Sequence, residues 1–391
     1  MVDLVYLGHS SFAPHASRQQ CTRQLFLPGL AQGRGRTRLR SGRKSLTASC
    51  MHISRGLSPS PSCRKYGTDG PLIENSTWSH RRRLWGRVQD RTSARESLPD
   101  LIWLMYRFFG HFNSYLYRLV SDVPSLEYAA EAVLRGFQDD GVVYLELRTT
   151  PRRIGSSSEE DTVRTICRVI RKWNETERMR TNLILSIDQA KHDAAKGIQI
   201  VELATKLRSE GQPVVGLDLC GDPHHIPDMS IFRPAFRLAK ERNFGITLHF
   251  AEVPYSSKPE VLEEMLAWEP DRLGHVIHVP PTMRQTIIDR KISVELCLTC
   301  NVLAGMLPGK GGYEAHHFPD WWQGGNEEAR LSVNTDDVGV FGSMPSDEHL
   351  LAAQHFGLSR ADLVGLSFKA LKGAFGDVTL SRIAIEAFAA Q

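Results

Sequence analysis

From Leu101 to the end of the chain, short apolar runs alternate with longer stretches in which apolar positions recur at helical spacing. The runs Val142–Leu147, Leu183–Asp188, Val214–Leu219, Gly245–Glu252, Leu273–Val279, Ser293–Leu298 and Leu331–Asp336 predict buried strands. Between them, Glu160–Glu177, Ile198–Ser209, Ile231–Arg242, Pro259–Ala267 and Pro281–Lys291 predict amphipathic helices. Ser125 to Asp139 predicts another, with Leu126, Ala130, Val133, Leu134 and Phe137 along one stripe. Such alternation is the pattern of an α/β fold with a parallel sheet. Seven strands are one short of a closed (β/α)8 barrel, so the first strand is expected to be missing or degraded, and it would have to come from the amino-terminal region.

Residues 1–100 follow neither a period of two nor one of 3.6 for any useful distance, and they are rich in Arg, Ser, Gly and Pro. Stretches such as Gly33 to Arg40 and His80-Arg81-Arg82-Arg83 bury little, so this segment is expected to be largely disordered, with the barrel domain spanning 101–391. Three origins fit the composition: a mistranslated or frameshifted segment, a disordered basic tail, or an Arg/Ser-rich transit peptide.

Charge divides the chain in the same place. The net charge of +4 comprises 17 Lys+Arg against 6 Asp+Glu in residues 1–100, and 31 against 38 in the remainder. The body is mildly acidic, and the basic segment lacks aromatic interleaving, which argues against a nucleic-acid partner. No apolar run approaches a membrane span, and the start lacks the positive region of a secretory signal, so no membrane partner and a cytoplasmic location are expected. Seven irregularly spaced cysteines suit reduced thiols.

The polar residues of the barrel region fall at the carboxyl ends of the predicted strands, where a parallel barrel builds its site: Glu146 and Arg148, Asp188, Asp218 with Gly221 and Asp222, His249 and Glu252, His275, Asn301, and Asp336 with Asp337. A single strand-end Asp is more often a helix cap than a ligand. Seven successive strands ending this way carry more weight. In Leu248-His249-Phe250-Ala251-Glu252 an imidazole able to ligate a metal precedes a carboxylate able to move protons; the bland alternative is a core histidine and a surface glutamate. His275 ends the next strand behind Gly274. Asp336 and Asp337 repel each other unless a cation or donor holds each one. Cys297-Leu298-Thr299-Cys300 lacks the second ligand pair that a zinc ribbon needs.

Together, Val143 to Arg152, Gly216 to Pro223, His249 to Glu252, Arg272 to His275, Glu295 to Asn301 and Asn334 to Phe341 resemble the adenosine deaminase family in order and spacing, over about two hundred residues. The Glu146–Arg152 and Glu295–Asn301 motifs look like its N6-methyl-AMP deaminase branch. The resemblance implies a (β/α)8 TIM barrel of the metallo-dependent hydrolase type, one Zn2+, a purine nucleotide or nucleoside as substrate, and a monomer. It implies that His249 and Asp336 ligate zinc, that Glu252 protonates purine N1, and that His275 orients and deprotonates the attacking water. Asp337 would contact substrate or water, the backbone of Gly221 the purine, and Asp188 with Thr149, Thr150, Pro151 and Arg152 the nucleotide. Arg148, Arg152 and Arg153 cluster where a phosphate would need countercharge.

One departure stands out. The family ends its first strand in His-x-His, and that motif occurs nowhere in this chain. His9 and His15 share a parity, but six extended residues separate them by about 20 Å. With His249 and Asp336 alone, the site falls short of the three protein ligands typical of catalytic zinc, so weak zinc binding and slow or absent deamination are expected. The alternatives are an inactive purine-nucleotide-binding relative, a nucleic-acid-associated protein using the basic segment, and a different metal-dependent barrel hydrolase.

Overall fold

Strand β2 (Val142–Thr149) sorts its residues by parity in a way that defines the architecture. In the computed structural model Leu145 and Leu147 point outward into the main apolar core, whereas Tyr144, Glu146 and Arg148 point to the other face, where Arg148 reaches Asp218, Thr247 and Glu295 on three other strands. Side chains from strands so far apart in the sheet meet only when the sheet curls around them. The structure describes residues 4–8, 117–309, 311–322 and 330–379.

The strands follow in order: β3 (Arg180–Asp188), β4 (Val214–Cys220), β5 (Gly245–Phe250), β6 (Arg272–His275), β7 (Ser293–Leu296) and β8 (Leu331–Val333). Neighbours from β2 to β8 all pair parallel, as the apolar runs predict. The place of the first barrel strand, beside β2 and near β8, is held by β1 (Leu4–Gly8), which runs antiparallel to β2. The gap in the parallel set is therefore present, and a strand of opposite sense from the chain's start fills it. The expected disorder of residues 9–100, together with His9 and His15, lies outside the described residues.

The crossover helices are α1 (Val123–Asp139), α2 (Glu159–Thr176), α3 (Ala194–Ser209), α4 (Arg233–Glu241), α5 (Pro259–Leu266) and α6 (Pro281–Asp289). Their starts are chemically marked. Asp122 accepts from Ser125 N at 2.7 Å before α1, and Ser158 and Asp161 form a reciprocal capping box before α2. Helix α1 turns Ala130, Leu134 and Phe137 inward, the stripe that its spacing predicts. After β7 come α7 (Leu298–Leu303), then α8 (Pro345–Phe356) and α9 (Arg360–Leu371). No helix among the described residues is long and apolar enough to cross a membrane.

The barrel interior is ionic. Arg272, 1% exposed, donates to Glu146 Oε2 at 2.5 Å and pairs through Nε with Glu295 Oε1 at 2.8 Å. Glu146 Oε1 also receives the Tyr144 hydroxyl at 2.5 Å and the Phe375 backbone N–H at 2.7 Å. Arg148 pairs with Glu295 from the other side. Burial pushes the Glu295 carboxyl up, but the guanidiniums of Arg148 and Arg272 outweigh it and leave the group below its ordinary range. Below this network Phe375 lies against Arg272, 3.6 Å from its guanidinium carbon. A Cβ on Gly216 or Gly245 would come within 2.6 and 2.3 Å of the Phe375 ring, so only glycine admits that plug.

Glu146, Arg148 and Asp218 thus belong to the core of the barrel, and their strand-end chemistry is structural. Removing the cation that two buried carboxylates share should be costly: Arg272→Met is expected to lose about 3–5 kcal/mol in equilibrium urea unfolding. A loss below about 1 kcal/mol would show that the network contributes little.

Candidate active site

Four of the expected residues converge at the carboxyl ends of β5, β6 and β8. His249, near the end of β5, is held by its Nδ1, 2.8 Å from Leu219 O and 3.2 Å from Asp218 Oδ1. A carbonyl oxygen only accepts, so Nδ1 carries the ring proton and Nε2 is the lone-pair nitrogen. The ring centroid of His275 lies 5.3 Å from that of His249. Nε2 of His275 stands 3.3 Å from Glu252 Oε1 and 3.8 Å from Asp336 Oδ2. All four side chains are buried.

The backbone is strained here. Ala251, His275, Val276 and Asp336 have φ of 55°, 62°, 49° and 55°, in the left-handed region that L-residues seldom enter. At Asp336 this breaks the alternation of the strand. Asp336 accepts from Cys300 Sγ at 2.8 Å and faces His275, while the adjacent Asp337 lines a cleft of about 200 Å3.

That cleft also takes Thr149, Thr150, Arg152 and Tyr117 as walls. Pro151 is buried beside it, and Arg153 is exposed. Arg152 donates to Val120 O at 3.1 Å and Tyr117 O at 3.4 Å, and burial pushes its pKa down. Two cations approach the Tyr117 ring, with the Arg152 guanidinium 5.3 Å and the Lys191 Nζ 4.6 Å from its centroid. Lys191 in turn pairs with Asp188 at 2.8 Å. Asp188 and Gly221 touch: a Cβ on Gly221 would sit 2.4 Å from Asp188 Oδ1, and its φ of 115° also calls for glycine. Of the three arginines expected to answer a phosphate, Arg148 is the one the structure removes, since its guanidinium is committed inside the barrel to Glu295, Asp218 and Thr247.

Three donor atoms mutually within 4.8 Å, the spacing of a metal site, belong to His275, Cys297 and Asp336 among the described residues; His249 does not join that group. Asn301, one of the polar residues expected at a strand end, places its side-chain oxygen 2.9 Å from Nδ1 of His275 and its amide nitrogen 3.0 Å from Nε2 of His316. Several other residues around the site gave no sequence signal of their own. His317 Nε2 donates to the backbone oxygen of His275 at 2.6 Å. Glu348 of α8 accepts from Thr299 N, in the first turn of α7, at 3.2 Å and from the Ser343 hydroxyl at 2.5 Å. Tyr117, Lys191, His316, His317 and Glu348 lie on loops or helices whose spacing with the strand ends is set only by the fold.

The adenosine deaminase family model matches residues 101–388. An N6-methyl-AMP deaminase of Danio rerio is 33% identical over 272 residues, covering 66% of this chain and 75% of that protein. The crystal structure of the Arabidopsis N6-mAMP deaminase superposes with a TM-score of 0.67 at 28% identity, covering 81% of this chain and 93% of the other. An Arabidopsis ADAL structure complexed with IMP gives 0.66 at 27%, covering 81% and 92%.

Burial raises the Glu348 carboxyl from its ordinary 4.5 to about 7. Between those values the folded chain keeps a proton that the unfolded chain has released, so stability is fully present below pH 4.5 and falls as pH rises towards 7. Glu348→Gln removes that slope. Its stability relative to the parent chain should improve by about 2 kcal/mol between pH 5 and pH 8 in urea unfolding; parallel curves would refute the linkage.

Proposed function

The chain belongs to the adenosine deaminase family, and from that premise we propose that it hydrolyses the exocyclic amine from C6 of a purine nucleotide, with N6-methyl-AMP giving IMP and methylamine. The observation that carries this reading is the convergence of Glu252, His275 and Asp336 on one buried space, with the His249 ring 5.3 Å from that of His275. Those are an acid, an imidazole and a ligand-type carboxylate around a single position, the set that an aminohydrolase needs. Arabidopsis relatives are described in complex with IMP and GMP, which supports a nucleotide as ligand.

His249 and Asp336 would hold zinc, whose donor chemistry suits an imidazole fixed through Nδ1 and a buried carboxylate. When bound, the ion supplies a hydroxide near neutral pH. Glu252 delivers a proton to purine N1, making C6 electrophilic. His275 faces the same space and orients the attacking oxygen. Asp337, Thr149, Thr150 and Arg152 line the adjoining cleft, where the nucleotide is held, and the Asp188–Gly221 contact fixes the backbone that meets the base. Arg152, with the exposed Arg153, and Lys191 beside Tyr117 are the cations left to answer a phosphate.

The lack of a His-x-His pair anywhere in the sequence supports a second reading, a purine-nucleotide-binding relative with impaired chemistry. The two are separated by measuring zinc per chain and amine release from N6-methyl-AMP on the purified full-length chain. Zinc below one equivalent, with methylamine release slow and abolished by chelator or His249→Ala, is the expected result. Nucleotide binding that chelator leaves unchanged, without amine release, favours the second reading; one tightly held zinc with fast turnover would overturn the expectation of a weakened site.

A further inference from the structure

Strand β7 ends at Leu296 and α7 begins at Leu298, so the chain turns from sheet to helix on a single residue, Cys297. That junction sets two buried thiols against the site. Cys300, one helical turn on, donates to Asp336 Oδ2 at 2.8 Å. The Cys297 sulfur lies with a ring nitrogen of His275 and a carboxylate oxygen of Asp336, three donor atoms mutually within 4.8 Å. Nδ1 of His275 faces the side-chain oxygen of Asn301 at 2.9 Å, and Nε2, 3.8 Å from Asp336 Oδ2, is the nitrogen turned to the shared space. The three residues come from the ends of β6, β7 and β8, and Glu348 holds the first turn of α7 in place through Thr299 N at 3.2 Å.

Bonds of about 2.0–2.3 Å to a tetrahedral ion set its donors about 3.5 Å apart. His275 and Asp336, at 3.8 Å, are close to that span. With all three donors inside 4.8 Å, no pair has more than about 1.3 Å to close. One sulfur, one nitrogen and one oxygen select zinc or another thiophilic divalent ion over magnesium and calcium, which take oxygen. Three protein ligands also meet the number that the His249–Asp336 pair lacks, and none of them is drawn from the first strand. As the sulfur–metal bond forms, the thiol proton passes to solvent, since coordination by a divalent ion deprotonates a thiol outright.

We propose that His275, Cys297 and Asp336 form a second metal site of this chain, for zinc or another thiophilic divalent ion, with the Cys297 sulfur as its distinguishing ligand. It shares Asp336 with the His249 pair, so an ion held here competes with one held there for the same carboxylate. It also engages Nε2 of His275, which faces Glu252 at 3.3 Å, and so takes up the imidazole that orients the attacking oxygen. Excess zinc therefore slows amine release. That consequence rests on the function proposed above, whereas the ligand set rests on geometry alone.

The test is the absorption spectrum of the reduced full-length chain, stripped of metal and titrated with Co2+ as a visible stand-in for zinc. A sulfur-to-cobalt charge-transfer band should rise with the added ion and be lost in Cys297→Ser. Cys300→Ser, the same change one turn along the same helix, should keep the band, as should His249→Ala. X-ray absorption of the zinc-loaded parent chain, which needs no variant, should show a sulfur at about 2.3 Å from the ion. Nitrogen and oxygen neighbours alone, or a cobalt band that survives Cys297→Ser, would overturn the proposal. Sulfur ligation through Cys297 in a chain that releases no amine would keep the metal site and sink the deaminase reading; amine release without sulfur ligation would do the reverse.

Discussion

The hold of Arg272 on two carboxylates at the centre of the barrel is the constraint from which the rest of the structure follows. Glu146, Arg272 and Glu295 come from β2, β6 and β7, and none has access to solvent that could replace its partners. A shift of one residue in any of these strands would turn its charge outward and strand the other two. An aliphatic barrel interior would be indifferent to many small adjustments; an ionic one accepts a single register. The strand ends are set by that register, and every group of the site sits at or just beyond a strand end.

On this frame two imidazoles 5.3 Å apart are each held through Nδ1 by an oxygen behind the ring. His249 gives its Nδ1 proton to a carbonyl oxygen and presents a lone pair. His275 Nδ1 meets the side-chain oxygen of Asn301 at 2.9 Å, and the amide nitrogen of Asn301 lies 3.0 Å from Nε2 of His316, whose Nδ1 accepts from the Phe318 backbone N–H.

The parallel set was legible in the chain because buried strands leave continuous apolar runs and amphipathic helices leave a stripe; all seven runs became β2 to β8. Depth was less legible. Glu146, Arg148 and Asp218 share the polarity of His249 and the parity that faces the barrel axis, and alternation along a strand does not tell the bottom or middle layer from the mouth. The antiparallel β1 was invisible because its partner and sense are set by what it docks on. His316, Glu348, Tyr117 and Lys191 were missed for a related reason: the residues that hold site side chains and cap loops reach the site from loops and outer helices, with no period to mark them.

The Cys297-x-x-Cys300 pair lies against the same carboxylate. Cys297 lies with His275 and Asp336 in an arrangement that could surround a cation, which favours the thiol as a ligand more than its sequence context did. A coordinating thiol must first lose its proton. Burial, and then the negative charge of Asp336, pushes both thiols well above their ordinary range, and Cys300 uses its S–H to donate to Asp336 Oδ2. The Cys300 thiol is thus one donor that Asp336 has among its neighbours. The backbone at Asp336 is left-handed; that acid faces the Cys300 thiol and the His275 ring, and Asp337 lines the cleft.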